Sequence, residues 1–212
     1  MKKNPILIRN IIRGRKNPDK IVIGLIGTHK GAGVTHTSIM LANYLSKCRG
    51  FKTAYLEMNE EDDIKHLLYA YENNGDKFYE KRKFKIYTTT YYKNVREKDL
   101  IEILNEEYEY FILDFGMDFN KNKSEFLRCD VKLVIGSLTE WKRHTLFLFV
   151  KSKKELPGFL YWKYLIVFAQ KKDIKIASNE LHLKLDSIGY EPDPLLLSKE
   201  TKELFQKIIF PS

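Results

Sequence analysis

Between Ile21 and Leu45 the chain runs IVIGLIGTHKGAGVTHTSIMLANYL, and this stretch limits the fold more than any other. Ile21 to Ile26 is a short apolar run rich in β-branched residues, the pattern of a strand covered on both faces. Gly27 to Gly33 is a turn punctuated by glycine. From Thr35 onward Ile39, Leu41, Ala42 and Leu45 recur at roughly helical spacing, which predicts a helix opening between Val34 and His36. Strand, glycine turn and helix N-terminus together aim backbone N–H groups at one point, a geometry that suits a phosphate.

A phosphate-binding loop reads GxxxxGK[ST], with the lysine on the terminal phosphates and the hydroxyl on magnesium. Set on this pattern, Gly33 takes the last glycine, Val34 the lysine and Thr35 the hydroxyl. Thr28 then stands at the first glycine, with Gly27 one place before it. The cradle and the hydroxyl are kept, but a branched apolar side chain cannot neutralise a phosphate. The stretch resembles the deviant loop of the ParA/MinD partition ATPases, of the KGGxGK[ST] type, which carry a second lysine early in the loop. His29 stands at that early position with Lys30 beside it, and either offers partial compensation. Within that family the altered lysine is most similar to the pilus-assembly branch, the TadZ/CpaE-like proteins. The resemblance implies that Gly27, His29, Lys30, Gly31, Ala32, Gly33, Val34, Thr35 and His36 surround ATP or ADP with magnesium. A tight strand-to-helix turn with no ligand is the plain alternative.

Two further strands carry carboxylates in the same order as the family. Thr53 to Met58 reads as a buried strand whose end matches the family's D-x-D pair with Glu57 and Asn59. Tyr110 to Asp114, YFILD, is an apolar strand ending in aspartate about eighty residues after the glycine turn. The segment YEYFILDFG is similar to the family's YDYIIIDxxP, which implies that Asp114 orders magnesium through water. The resemblance thus assigns the metal to Thr35, Glu57 and Asp114. Gln170, just after the strand YLIVFA, occupies the place of the family's adenine-reading Asn, and DSIGYEPDP resembles the loop beside the base.

The remaining chain fills in an alternation. Ile64 to Tyr71 and Glu97 to Glu107 read as helices, and KFKIYTTTYYK as one strand near a sheet edge. A polar loop at Asn120 to Ser124 precedes a strand over Cys129 to Ser137. Helices follow over Thr139 to Val150 and Ser198 to Ile209. Five or six strands alternating with helices make an α/β protein with a doubly wound, mainly parallel sheet, a three-layer Rossmann-type, P-loop NTPase-like fold. Ligands of such sheets lie at the carboxyl ends of the strands, where Gly33, Glu57, Asp114 and Gln170 all fall.

At 212 residues the chain is expected to form one domain over 21–212, preceded by a basic extension over 1–20. Cys48 and Cys129 make no disulfide framework or metal spacing, and no apolar run is long enough to cross a bilayer. Both point to the cytoplasm. The net charge of +9 suits a membrane surface, nucleic acid or an acidic partner, and equally a lysine-rich surface with no such role. A protein partner, with a homodimer among the options, is favoured over lipid or nucleic acid. Two functional readings stay open. One is a nucleotide-binding localisation or assembly factor, at most a weak ATPase because Val34 replaces the lysine. The other is a scaffold that binds no nucleotide and works through protein contacts.

Overall fold

A computed structural model describes residues 20–71 and 81–211, so the extension expected over 1–20 lies outside the described residues but for Lys20. The apolar run Ile21–Gly27 is strand β1, and it sits inside an eight-stranded sheet. The other strands are β2 (Thr53–Glu57), β3 (Lys83–Ile86), β4 (Thr89–Tyr92), β5 (Tyr110–Asp114), β6 (Val131–Ser137), β7 (Lys163–Val167) and β8 (Leu185–Ile188). Their order across the sheet is β3-β4-β2-β5-β1-β6-β7-β8, and every pair is parallel except β3 with β4.

Because side chains alternate along a strand, β1 serves two cores. Ile23 and Leu25 pack with α1 (Val34–Asn43) and α7 (Lys199–Ile209), through Met40, Leu41, Phe205 and Ile208. Val22 and Ile26 join the opposite core, to which α3 (Glu97–Asn105), α4 (Phe119–Arg128), α5 (Glu140–Lys153) and α6 (Lys171–Leu181) contribute Leu100, Phe126, Leu146 and Ala177. A shorter helix, α2 (Ile64–Tyr71), buries Ile64 and Leu68 beside α1. The expected three-layer, doubly wound architecture is therefore the observed one. The chain leaves β1 toward β2 on one face, while β6 continues through α5 to β7 on the other. That reversal next to β1 opens a crevice at the carboxyl ends of the strands.

The sheet has eight strands where five or six are expected, and two local expectations differ from the structure. KFKIYTTTYYK is two strands: Tyr87 adopts φ 53° and reverses the chain, so β3 returns antiparallel to β4 with Lys83 opposite Tyr92. β4 then lies inside the sheet against β2, and β3 forms the edge. The polar stretch Asn120 to Ser124 belongs to α4, started by Asp118, whose carboxylate accepts the Lys121 N–H at 3.0 Å. Only Phe119 and Phe126 of that helix are buried apolar anchors, too few to show in the pattern.

Gly24 allows α4 to approach β1. A Cβ there would stand 2.7 Å from Cys129 Sγ and 2.9 Å from Phe115 Cε2. Gly24→Ala is expected to cost about 1–3 kcal/mol through overpacking. The check is a lower urea midpoint with an unchanged denaturant slope.

Candidate functional site

The glycine turn leads from β1 into α1. Its base is tied down: the Gly27 N–H donates to Gly116 O at 2.8 Å and the Thr28 N–H to Ile135 O at 2.9 Å. Gly31 and Gly33 take φ of 78° and 87°, a left-handed backbone that glycine enters without strain. The N–H of Thr37 is satisfied by Gly33 O at 2.9 Å. The N–H groups of Val34, Thr35 and His36 open the helix and have no acceptor within it. No acidic residue lies in this first turn, so the positive end of the helix dipole keeps its full effect. These amides border a groove of about 450 Å³ whose walls include His29 to His36 on one side and Asn59, Glu61, Gly116 and Met117 on the other.

Val34 does not reach into that groove as a lysine would. It is buried, and its Cγ2 would stand 2.8 Å from a Cβ placed on Gly27. The two candidate substitutes for the lost charge border the groove but are engaged with other groups. His29 Nδ1 lies 2.9 Å from Thr28 Oγ1, and burial followed by the nearby Lys142 ammonium keeps its pKa below the ordinary value. Lys30, 78% exposed, lies 3.6 Å from Glu61 across the mouth of the groove.

The Thr35 hydroxyl donates to Asp114 Oδ2 at 2.7 Å, joining the head of α1 to the end of β5. Asp114 is fully buried. The Tyr55 hydroxyl donates to the same oxygen at 2.7 Å, and the Gly116 N–H to Oδ1 at 2.9 Å. Burial pushes the Asp114 carboxyl above its usual range, and the donors from Thr35, Tyr55, Gly116 and Asn59 oppose that push. The Asn59 amide nitrogen is buried without a hydrogen bond of ordinary geometry, and its Cβ leaves no room for a side chain at Gly116. Tyr55→Phe removes one donor from a buried carboxylate and is expected to cost about 1.5–3 kcal/mol, measured by chemical denaturation.

Glu57 is placed differently. It pairs in register with Asp114 and is fully buried, yet Oε1 accepts the Ile64 N–H and Oε2 the Asn94 N–H, each at 3.2 Å. Both oxygens thus fasten the start of α2 and the turn after β4. Thr35 and Asp114 remain as adjacent oxygen donors, the hard ligand type that magnesium takes together with phosphate oxygens and water. Among the described residues no three His, Cys, Asp or Glu side chains converge as a metal cage. A magnesium ion here would depend on a phosphate for the rest of its coordination.

On the other side of α1 lies a smaller pocket of about 200 Å³, bounded by Gly33, His36, Met40, Val167, Phe168 and Tyr190 among others. The His36 Nε2–H donates to Glu191 O at 2.7 Å, closing its floor against the loop after β8. Phe168 and Tyr190 are largely exposed, with ring centroids 6.0 Å apart at its mouth. Gln170 is not in its lining; it caps α6, where its carbonyl accepts the Ile174 N–H at 3.1 Å. Residue type alone does not mark Tyr55, Phe168 or Tyr190 as site residues. Tyr55 lies on the strand ending in Glu57, and Tyr190 within the DSIGYEPDP segment, so position along the chain held the signal.

A strand, glycine turn and helix over a central parallel strand, with an aspartate ending the neighbouring strand, define the ParA/MinD-like P-loop fold, and the chain has that fold. It is similar over 90% of its length to a Borrelia burgdorferi protein assigned to plasmid partition and bound to AMPPNP, with TM-score 0.67, 17% identity and 97% of that chain covered. It is likewise similar to MinD in a MinC:MinD cell division complex of Aquifex aeolicus (TM-score 0.68, 14% identity, 91% and 97% covered). A third similar structure is a ParA family ATPase of Chlorobium tepidum (TM-score 0.61, 13% identity, 91% and 93% covered). No family model matches the sequence, and no curated protein matches it.

Proposed function

We propose that the chain is a ParA/MinD-like nucleotide-binding protein that works as a cytoplasmic localisation or assembly factor, of the pilus or secretion type, with weak ATP hydrolysis or none. The observation that carries this reading is the Thr35–Asp114 hydrogen bond beside the open amides of α1. The triphosphate would lie over the amides from Gly31 to His36, and the base in the pocket between His36 and the Phe168–Tyr190 pair. Magnesium would sit near Thr35, with Asp114 behind it. Aromatic faces such as these two stack on any base, so the pocket alone does not choose adenine. Val34 removes a charge that stabilises phosphoryl transfer, which is why turnover is placed low. Met117, Trp141, Phe168 and Tyr190 leave apolar surface on the edge that holds the groove, where a protein partner or second copy would meet it.

Titration calorimetry with ATP and magnesium tests the reading. Saturable heat that falls at least about tenfold in affinity on Thr35→Ala supports it, since a hydrogen bond to charge contributes about 1.5–3 kcal/mol. No heat at millimolar nucleotide, in either protein, leaves the second reading. That second reading, a scaffold without nucleotide, is favoured by one observation: Val34 is packed on Gly27 as a core residue.

A further inference from the structure

Away from the groove, at the amino edge of the sheet, the connection from α5 to β7 presents two apolar side chains to solvent. Leu160 is 79% and Tyr161 83% exposed. The turn that carries them is firmly built. Gly158 takes φ 74°, the N–H of Phe159 donates to Leu156 O at 3.1 Å and that of Trp162 to Phe159 O at 3.1 Å. Phe159 and Trp162, on either side of the exposed pair, are buried with ring centroids 5.5 Å apart, and Trp162 packs edge-on to Phe126 at 5.1 Å. The buried rings hold the turn in place while Leu160 and Tyr161 touch little of their own fold.

The charge around the turn is mainly positive. Lys151 and Lys154 end α5, and Lys163 begins β7; all three are exposed and make no ion pair among the described residues. Lys153 leans back over the Phe119 ring at 4.3 Å. Glu155 is the single acid between Lys151 and Lys163. The register of β7 with β8, Tyr164 opposite Leu185, brings Lys184 alongside Lys163.

We propose that this turn docks on an anionic lipid surface, with Leu160 and Tyr161 entering the headgroup region and Lys151, Lys154 and Lys163 meeting lipid phosphates. Two protruding side chains are too small a patch for a stable protein interface, which needs on the order of 1,000 Å² or more. A leucine and a tyrosine within a collar of lysines match what a charged membrane interface holds, an aromatic ring at headgroup level and cations above it. The proposal does not depend on nucleotide. The groove would face away from the membrane, because the turn precedes β7 while the groove follows β1, and the two strands run parallel through β6.

Co-sedimentation of the full chain with vesicles tests it. Vesicles of phosphatidylcholine containing phosphatidylserine should bind the protein at low salt, and pure phosphatidylcholine should not. The double variant Leu160→Ser with Tyr161→Ser should weaken binding at least about tenfold, and Lys163→Ala about fivefold. Leu196→Ser, equally a loss of an exposed leucine but in the loop after β8, beside Asn43 and Lys47 on the other face of the sheet, should change nothing. Absence of vesicle binding overturns the proposal. So does binding that the double variant leaves intact, which would assign the contact to the basic residues 1–20.

Discussion

Val34→Lys is expected to raise the affinity for ATP with magnesium by about ten- to a hundredfold, from one or two charge-assisted hydrogen bonds of about 1.5–3 kcal/mol in total. Gly27 has no Cβ, so the lysine stem can follow the path that the valine takes over it, and the ammonium then emerges beside the amides of α1. The apo protein should lose about 1 kcal/mol, because a well-packed apolar side chain gives way to a longer one. Calorimetry on both proteins, with denaturation as a companion, reads the two effects separately. An unchanged affinity would mean that no phosphate comes to rest against residue 34, and the nucleotide reading would lose its geometric basis.

The second large effect concerns pH. Burial pushes the Glu57 carboxyl up to about 7 from 4.5, against the two backbone N–H groups that favour its charged form. Its folded pKa lies above its unfolded one, so the folded state holds the extra proton between those values. The contribution of this group is then greatest below about pH 4.5, falls as pH rises toward 7 and levels off above it, a total of about 3 kcal/mol. Urea denaturation of the wild type and Glu57→Gln across pH 5 to pH 8, in chelator, isolates it. The advantage of the wild type should shrink as pH rises, since glutamine does not titrate. A constant difference across the window would show that Glu57 is charged throughout.

What could be read in the sequence was whatever is local and repetitive. β1, the glycine turn, α1 and the YFILD strand announce themselves through apolar runs, glycine spacing and helical period. The hairpin of β3 and β4 did not, because its reversal rests on Tyr87 in a left-handed backbone where no glycine or asparagine marks a turn. α4 was hidden by its own polarity; its register depends on Phe126 meeting Trp162, a partner 36 positions away whose proximity no local pattern encodes. The site divides in the same way. The Thr35 and Asp114 meeting followed from the order of two recognisable segments. The occupation of Glu57 by Ile64 and Asn94, and the turn at Phe168 (φ 53°) that leaves Gln170 capping α6, depend on where loops happen to land.

The tight seat of Val34 over Gly27 also links the two positions as one heritable unit. Gly27→Ala alone should be rejected for want of room, and trimming residue 34 to alanine should rescue it only in part, because Ala32 Cβ at 3.2 Å and His29 O at 3.3 Å still crowd the new methyl. A pairwise mutational scan should therefore find strong epistasis between 27 and 34. Any lineage that fills position 27 while residue 34 is small closes its own way back to a charged loop.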